Sequence, residues 1–345
     1  MMKKRSRLEI GMETNRRRKF VSYSHVKTRG DQIWVRASHK PANGLDTDGT
    51  DESEHLRIVR ENLPSDVEIN TSFGKKKVCY ADYTASGRPL TCIEEYLSKV
   101  VGPLFANTHT ENSTTGLQTT HFREEARDIV LEGVGGNRND HILLFVGSGV
   151  TGAIDKFIRL MDIAVPHALK PLLASNVPLE KRPLILISDS EHHSNELMWR
   201  ENYCDVSVIS RDESGVVDMF ELTRVLENAR KLDETRIIIG SFTAGSNVTG
   251  LRNDPHVISK VLHAFGAIAV FDFAGAAAYV DVNMQSEDLD SHLDAIFLSP
   301  HKFVGGPGCP GILVARKSCF REEIPPTIAG GGTGKFIYFS TNTVG

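Results

Sequence analysis

The stretch AIFLSPHKFVGGPGCPGILVA, residues 295–315, decides how the surrounding chain is interpreted. A short apolar run ends in Ser-Pro-His-Lys, a glycine-rich turn follows, and a second apolar run begins. Continuous apolar runs of this length are typical of strands buried on both faces of a sheet. Lys302 therefore lies where a buried strand ends. It is either an ordinary surface lysine or an amine that the fold holds at a site.

Five further apolar runs precede this stretch, and they too are continuous rather than alternating. Helical patterns separate most of them, at residues 152–162, 195–203, 218–231 and 255–265. Alternation of strands and helices predicts an α/β fold with a mainly parallel sheet and helices on both of its faces. The predicted strands are HILLFV (141–146), PLILIS (183–188), VSVI (206–209), RIIIGS (236–241), AIAVFD (267–272) and AIFLS (295–299).

The composition is that of a globular chain and argues against several classes of protein. The 345 residues are 40% hydrophobic and 24% charged, with a formal net charge of -4, so no general attraction to nucleic acid follows. No apolar run approaches the ~20 residues that span a bilayer. The five scattered cysteines form no CxxC pair, which favours a reducing compartment over a disulfide scaffold or a zinc site. We expect a cytoplasmic protein without nucleic-acid, membrane or metal partners.

The N-terminal residues 1–70 differ from the rest of the chain. Their first twenty residues are basic, interrupted by Glu9 and Glu13, and lack the apolar core of a signal peptide. A disordered extension is the preferred interpretation, and a mitochondrial presequence is the alternative. The stretch KPANGLDTDGTDESE that follows is acidic and rich in turn residues, which indicates a linker. A large domain is predicted over residues 71–320.

Polar residues follow five of the predicted strands, at the ends where a parallel sheet binds its ligands. The strand ends carry GSGVTGAIDK, SDSEHHSNE, TAGSNVTG, FDFAG and SPHK. Glycine, hydroxyl, imidazole, amide, carboxylate and amine groups at five such positions predict one shared site.

Each of these residue types has a chemical and a structural interpretation. Residues 147–152 suit a phosphate cradle at a helix N-terminus, although a tight turn explains the glycines equally well. This stretch is neither a Walker A loop nor GxGxxG. Asp272 is either the partner of a protonated pyridine nitrogen or the cap of the AGAAAY segment. Asn247 is either a hydrogen-bond donor to a ring hydroxyl or a turn residue.

Lys302 and the histidines complete the set. A lysine amine forms a Schiff base if its site keeps it nucleophilic, and Ser299 and His301 beside it suit hydrogen bonds to a phosphate. His192 or His193 is placed to stack on an aromatic ring, or simply to begin a helix. A phosphate cradle, a stacking imidazole, a buried aspartate and a lysine together match pyridoxal phosphate.

The same motifs resemble those of class V aminotransferases, the fold-type I pyridoxal phosphate enzymes that include cysteine desulfurases and isopenicillin epimerase-like proteins. The resemblance runs from about residue 80 to residue 333. Its motifs, in the order of the family, are YADYTASGRPL, GSGVTGAI, SEHHSN, SNVTG, FDFAG, SPHK and GGGT. Together they are specific for the superfamily and much less specific for the reaction.

The resemblance implies a role for each matching residue and a homodimer with its sites at the subunit interface. Lys302 would carry the cofactor as a Schiff base, Asp272 would pair with the pyridine nitrogen, and His192 would stack on the ring. Asn247 would meet the ring oxygen. The phosphate ligands implied are Val150 through its backbone, Thr151, Ser299, His301 and, from the partner subunit, Thr333. Asn107 and His109 resemble a loop on the substrate side.

The chain also departs from the family pattern. Gly275 stands where many relatives have glutamine, Val150 where a hydroxyl is common, and residues 321–345 read as the start of a truncated C-terminal small domain. None of the five cysteines is expected to carry a persulfide, Cys309 included. Two hypotheses follow: a cysteine desulfurase-like enzyme acting on an amino acid, or a truncated, non-catalytic member that binds the cofactor or a partner without turnover.

Overall fold

The computed structural model describes residues 54–65, 67–108 and 112–320. Backbone contacts divide the chain into two units, residues 1–58 and 59–345, and the sheet and both sites discussed below belong to the second. Most of the predicted N-terminal extension, the segment 321–345, His109 and Thr333 lie outside the described residues. The predicted domain boundaries therefore stay predictions. None of the described helices is long and apolar enough to cross a membrane.

The described residues form nine strands and eight α-helices. The strands are β1 Glu68–Thr71, β2 Gly74–Lys77, β3 His141–Val146, β4 Leu184–Ser188, β5 Asp205–Ile209, β6 Ile238–Thr243, β7 Ile268–Asp272, β8 Ala295–Leu298 and β9 Gly311–Arg316. The helices are α1 Glu54–Asn62, α2 Thr91–Tyr96, α3 Thr114–Gly133, α4 Gly149–Leu160, α5 Lys170–Asn176, α6 Leu197–Arg200, α7 Met219–Leu232 and α8 Pro255–Ala264. A π-helical segment, Leu97–Val101, continues α2.

Seven strands form one sheet in the order β3-β9-β8-β7-β6-β4-β5. β9 pairs antiparallel with both of its neighbours, and the other pairs are parallel. Six strands therefore point the same way, which confirms the predicted mainly parallel α/β fold. The second apolar run of the opening stretch is the exception, because residues 299–310 form a 3-10 turn and a glycine-rich turn without a crossover helix and return the chain as β9. β1 and β2 form a separate, exposed hairpin.

The sheet is covered on both faces, as the continuous apolar runs predict. Phe271 and Ile296 point into one core together with Leu226 of α7 and Leu262 of α8. Val270 and Phe297, which alternate with them along the strands, belong to a second core with Phe157 of α4. Burial on both faces holds β7 and β8 rigidly, so the residues at their ends are fixed in position.

Local sequence explains where the two best-defined helices begin. The Asp218 carboxylate accepts hydrogen bonds from the first-turn N–H groups of α7, and Asp254 does the same for α8, which also has Pro255 in its first turn. The predicted helix over residues 195–203 is shorter than expected. It is a 3-10 turn, His193–Asn195, followed by the single turn of α6.

Candidate active site

The carboxyl ends of five parallel strands, β3, β4, β6, β7 and β8, lie along one edge of the sheet. All five carry the polar motifs that the sequence places at strand ends. Lys302 closes a 3-10 turn, Pro300–Lys302, that follows β8 directly. Asp272 is the last residue of the neighbouring β7. The parallel register therefore brings a lysine and an aspartate from adjacent strands to the same edge.

Lys302 is half-buried and central to the electrostatics of this edge. Within the described part of the chain its amine makes no hydrogen bond or ion pair. Burial lowers the pKa of His192 and of His301, and the positive charge of Lys302 lowers both further. Both imidazoles are therefore neutral at neutral pH. The amine lies close enough to act on residues from two strand ends and has no structural partner of its own.

Asp272 is 3% exposed, and its carboxylate is only partly satisfied. Oδ1 accepts a hydrogen bond from the Ala274 N–H at 2.7 Å, which is the capping role that the sequence offers as an alternative. No other hydrogen bond to this carboxylate is present among the described residues. Burial raises the pKa of Asp272 to about 6, against the opposing effects of that N–H and of Lys302. The second oxygen is thus available to a cation.

The glycine-rich turn after β3 meets the turn after β8. Ser299 Oγ accepts a hydrogen bond from the Val150 N–H at 2.9 Å. Gly149 has φ +54°, and a Cβ there would lie 3.0 Å from Ser299 Oγ and 2.9 Å from the His301 ring. A Cβ on Gly311 would lie 1.9 Å from the Gly149 carbonyl oxygen. Close backbone approach, not only a turn, requires these glycines. The Val150 N–H, predicted to bind phosphate, is engaged by Ser299.

Ser194 joins the turn after β4 to the start of α4. Its N–H donates to His192 Nδ1 at 3.2 Å, and its hydroxyl lies 2.9 Å from Thr151 Oγ1. Because His192 Nδ1 accepts a hydrogen bond, the proton of the neutral ring is on Nε2. His192 is exposed on this edge, so its ring is accessible to a ligand.

Two predicted residues lie farther out. Asn247 is exposed in the loop after β6. A Cβ built on Gly275 would lie 3.9 Å from the Asn247 Cβ, so the loop reaches the turn that follows Asp272. A longer side chain at position 275 would contact this loop. Asn107 is exposed, and no described contact joins it to Lys302.

Glu191 is a residue that the sequence interpretation missed. One carboxylate oxygen accepts from Ser188 Oγ at 2.6 Å and from the Thr243 N–H at 2.8 Å. The other accepts from Asn195 Nδ2 at 2.7 Å. Burial raises the pKa of Glu191 to about 7, opposed by these hydrogen bonds and reinforced by the charge of Asp272. A carboxylate within three residues of the end of a buried strand was the signal that could have identified it.

Asn195 connects Glu191 to the core through hydrogen bonds. It is fully buried, and its side-chain oxygen accepts from Ser241 Oγ at 2.6 Å and from Trp199 Nε1 at 3.1 Å. Its amide also donates to the Ser241 carbonyl oxygen at 3.1 Å. This network ties the turn that bears His192 to β6. It also explains the interrupted helix, because the Asn195 side chain is committed to these partners.

The YADYTASGRPL motif packs against the turn that holds Lys302. The Gly87 N–H donates to the His301 carbonyl oxygen at 2.8 Å, and the Gly305 N–H donates to the Arg88 carbonyl oxygen at 2.7 Å. A Cβ on Gly87 would lie 1.8 Å from the Phe303 carbonyl oxygen, so this position has no space for a side chain. The motif thus supports the lysine turn through backbone contacts, which no side-chain chemistry in the sequence indicates.

These residues suit pyridoxal phosphate in their donor chemistry. Four features of the described residues lie on one edge of the sheet: the Lys302 amine without a partner, the buried Asp272 carboxylate with one free oxygen, the accessible neutral imidazole of His192, and a glycine turn lined by hydroxyls. A pyridinium, an aromatic ring and a phosphate would complement them in turn.

Comparison with known proteins identifies the family. The aminotransferase class-V family model matches residues 79–344. The chain belongs to the class-V aminotransferase family. A probable cysteine desulfurase of Vibrio cholerae is 25% identical over 84% of this chain and 65% of the relative. One from Methanothermobacter thermautotrophicus is 32% identical over 47% of the chain and 38% of the relative. A cysteine desulfurase of Plasmodium falciparum is 22% identical over 92% and 54%.

Solved structures agree on the fold. The apo cysteine desulfurase of Thermococcus onnurineus superposes with a TM-score of 0.59 at 22% identity, over 82% of this chain and 62% of that one. The NifS-like protein of Rickettsia africae gives a TM-score of 0.55 at 20% identity, over 73% and 61%. This class-V chain therefore spans less than two thirds of the length of each of the relatives named.

Proposed function

We propose that the chain forms the cofactor-binding part of a pyridoxal phosphate enzyme that acts on an amino acid in a cysteine desulfurase-like reaction. The family and the similarity to cysteine desulfurases support the reaction class. The observation that carries the proposal is the position of Lys302. Its charge acts on Asp272, His192 and His301, from three strand ends, while its amine has no partner among the described residues.

Each residue then has a defined task. When bound, pyridoxal phosphate supplies a protonated pyridine ring that accepts electrons from the substrate. Lys302 holds the cofactor through its amine, and once released it moves the proton of the substrate α-carbon as a general base. The Asp272 oxygen that Ala274 leaves free keeps the ring nitrogen protonated. His192, neutral at neutral pH, packs its open face against the ring.

The remaining assignments concern the phosphate and the ring oxygen. Thr151, Ser299 and His301 surround the glycine cradle and would hold the phosphate, with the Val150 N–H joining them if Ser299 turns toward the ligand. Asn247 would meet the ring oxygen. Thr333 of a second copy of the chain would complete the phosphate site in a homodimer. That last contact lies outside the described residues.

The test is chemical labelling of the lysine. The protein is incubated with pyridoxal phosphate, reduced with borohydride and digested, and the modified peptide is identified by mass spectrometry. The label is expected on Lys302 and is lost in Lys302→Arg, which keeps the charge. The matched control is Lys156→Arg in α4, which should label normally. A label on Lys156, or an unchanged label in Lys302→Arg, would overturn the assignment.

Activity separates the enzyme from a non-catalytic cofactor-binding member of the family. A separate sample, loaded with pyridoxal phosphate but not reduced, is given cysteine, alanine and other amino acids in D2O, and α-proton exchange is followed by NMR. We expect Lys302→Arg to reduce exchange by about a hundredfold or more, the usual scale of general base catalysis. Labelling of Lys302 without exchange of any amino acid would support binding without turnover.

A further inference from the structure

Three side chains converge at the opposite, amino-terminal edge of the sheet. His263 lies near the end of α8, His292 in the loop between β7 and β8, and Asp294 directly before β8. Asp294 Oδ2 accepts a hydrogen bond from the Ala269 N–H of β7 at 2.8 Å, which fixes the carboxylate to the sheet. One ligand atom from each of the three side chains lies within 4.8 Å of the others. No step of the proposed reaction uses these residues.

Backbone carbonyl groups fix the tautomers of both histidines. His263 Nδ1 lies 2.7 Å from the Asp290 carbonyl oxygen, and His292 Nδ1 lies 2.6 Å from the Leu289 carbonyl oxygen. A carbonyl oxygen only accepts hydrogen bonds, so each Nδ1 carries a proton. The lone pair of each neutral ring is therefore on Nε2.

Both Nε2 atoms face the same carboxylate. His263 Nε2 lies 2.8 Å from Asp294 Oδ2, and His292 Nε2 lies 3.3 Å from Asp294 Oδ1. If one ring were neutral, its Nε2 lone pair would oppose the carboxylate, and if both were neutral, two lone pairs would do so. If both were protonated, two cationic rings would lie with their centroids 4.3 Å apart. A cation placed between the three side chains removes both conflicts.

We propose that His263, His292 and Asp294 bind a divalent transition metal of the Zn²⁺ class. Two imidazole nitrogens and one carboxylate oxygen are a ligand set that Zn²⁺ accepts, with a fourth position for water. Bond lengths of about 2.0–2.1 Å in a tetrahedron place ligand atoms about 3.3 Å apart. The two nitrogen–oxygen separations here are 2.8 and 3.3 Å. Donation of Nδ1–H to a backbone carbonyl is also how metal-binding histidines are oriented.

The surroundings decide how open the site is. The His292 side chain is 25% exposed and that of Asp294 is 11% exposed, so water and the ion can reach the group. The positive charge of Arg316 acts on His263 and opposes cation binding. Metal ligands bind in their deprotonated forms, so protons compete with the ion and affinity should fall as the pH is lowered.

The test compares Zn²⁺ binding by four forms of the full 345-residue chain, free of any affinity tag and of cofactor. They are the unchanged protein, His292→Gln, Asp294→Asn and the control His256→Gln. His256 also lies in α8, and its Nδ1 also donates to a backbone carbonyl, that of Ser291 at 2.7 Å, but it is not part of the cluster. Binding is measured by calorimetry, and Co²⁺ is then added to record its visible spectrum.

One Zn²⁺ per chain should bind in the unchanged protein and in His256→Gln. Affinity should fall at least about tenfold in His292→Gln and Asp294→Asn, since a lost ligand costs no less than a lost outer partner. Co²⁺ should give the intense absorption of a low-coordinate site only in the unchanged protein and in His256→Gln. Circular dichroism checks that each variant is folded. Equal Zn²⁺ binding by all four folded forms, or binding by none, would overturn the proposal.

Discussion

Two buried aspartates lie at opposite edges of the same sheet, and their pKa values are shifted in opposite directions. Asp272 ends β7 and accepts a single hydrogen bond, so burial raises its pKa to about 6. Asp294 precedes β8, and there burial also acts to raise the pKa. Hydrogen bonds from His263 and His292 outweigh it and hold the pKa well below its usual range. One carboxylate faces two imidazoles, whereas the other has no such partner among the described residues.

The difference lies in the partners that the fold provides. The amino-terminal edge is closed by α8, which supplies His263, and by the loop between β7 and β8, which supplies His292. The carboxyl edge has open turns, and the nearest cation, Lys302, makes no ion pair with Asp272 among the described residues. A buried charge without a partner costs stability, and protein sites retain it where function needs it. The contrast therefore separates an edge whose carboxylate has no ion-pair partner among the described residues from an edge whose carboxylate faces two imidazoles.

The largest effect is expected from Asp294→Ala. This change leaves the Ala269 N–H and both imidazole Nε2 atoms without their common partner. Breaking a buried ion pair by removing one member costs about 3–5 kcal/mol. Urea unfolding in the presence of EDTA should show this loss at neutral pH, because a depressed pKa contributes stability above the unfolded value of ~3.9.

The same measurement at lower pH provides the internal check on Asp294. Its contribution should disappear as the pH falls through the depressed folded pKa, so the two proteins should converge in acid. A loss of less than about 1 kcal/mol at neutral pH would mean that the His–Asp contacts are replaced by water at little cost. The two edges would then not differ in the way described above.

A smaller effect of opposite sign is expected from Asp272→Asn in the cofactor-free protein. A folded pKa of about 6 means that the charged form is disfavoured, so stability is lost as the pH rises from ~3.9 through about 6. Asn keeps the acceptor for the Ala274 N–H but carries no charge. The variant should therefore be about 2–3 kcal/mol more stable than the unchanged protein at pH 7 and equal to it near pH 4.

Glu191 also contributes to that pH dependence. Its pKa of about 7 produces a loss in the same direction at slightly higher pH in both proteins, and the charge of Asp272 is one of the causes of that raised pKa. The difference between the two unfolding curves therefore reports Asp272 together with its effect on Glu191. An Asp272→Asn protein no more stable at pH 7, measured by urea unfolding without cofactor, would show that Lys302 already neutralises the carboxylate.

The continuous apolar runs and the positions of the polar residues after them were enough to predict the sheet and the residues at its carboxyl edge. Continuous apolar runs identify strands buried on both faces, and parallel strands bring their ends together, so Asp272 and Lys302 could be placed at one site. The antiparallel β9 could not be recognised from its apolar run alone. The direction of a strand depends on the connection that precedes it, and the β8–β9 connection forms no crossover helix, so β9 runs antiparallel to β8.

Residues that act through the backbone or through long-range pairing were not predictable. Gly87 is required by the Phe303 carbonyl oxygen more than two hundred positions away in the chain. Asn195 reads as part of a helix, yet it is fixed by Ser241 of β6. His263 and His292 are separated by a strand and a loop, and neither stands in a metal-binding spacing. Tertiary structure creates each of these contacts.

The smallest effect is expected from Lys260→Ala, which removes the Lys260–Asp288 ion pair at 2.7 Å near the amino-terminal edge. Lys260 lies three residues before His263 in α8, so the change tests charge at almost the same place as the buried cluster. Both partners are largely exposed, and an exposed pair gains little because water and salt screen it. Alanine also keeps the helix propensity of this position. The urea midpoint should not move measurably at neutral pH, whereas that of Asp294→Ala should fall clearly. A comparable fall of the urea midpoint in both variants would mean that net charge at this edge, rather than burial of the Asp294 cluster, stabilises the protein. The contrast drawn between Asp294 and Asp272 would then not hold.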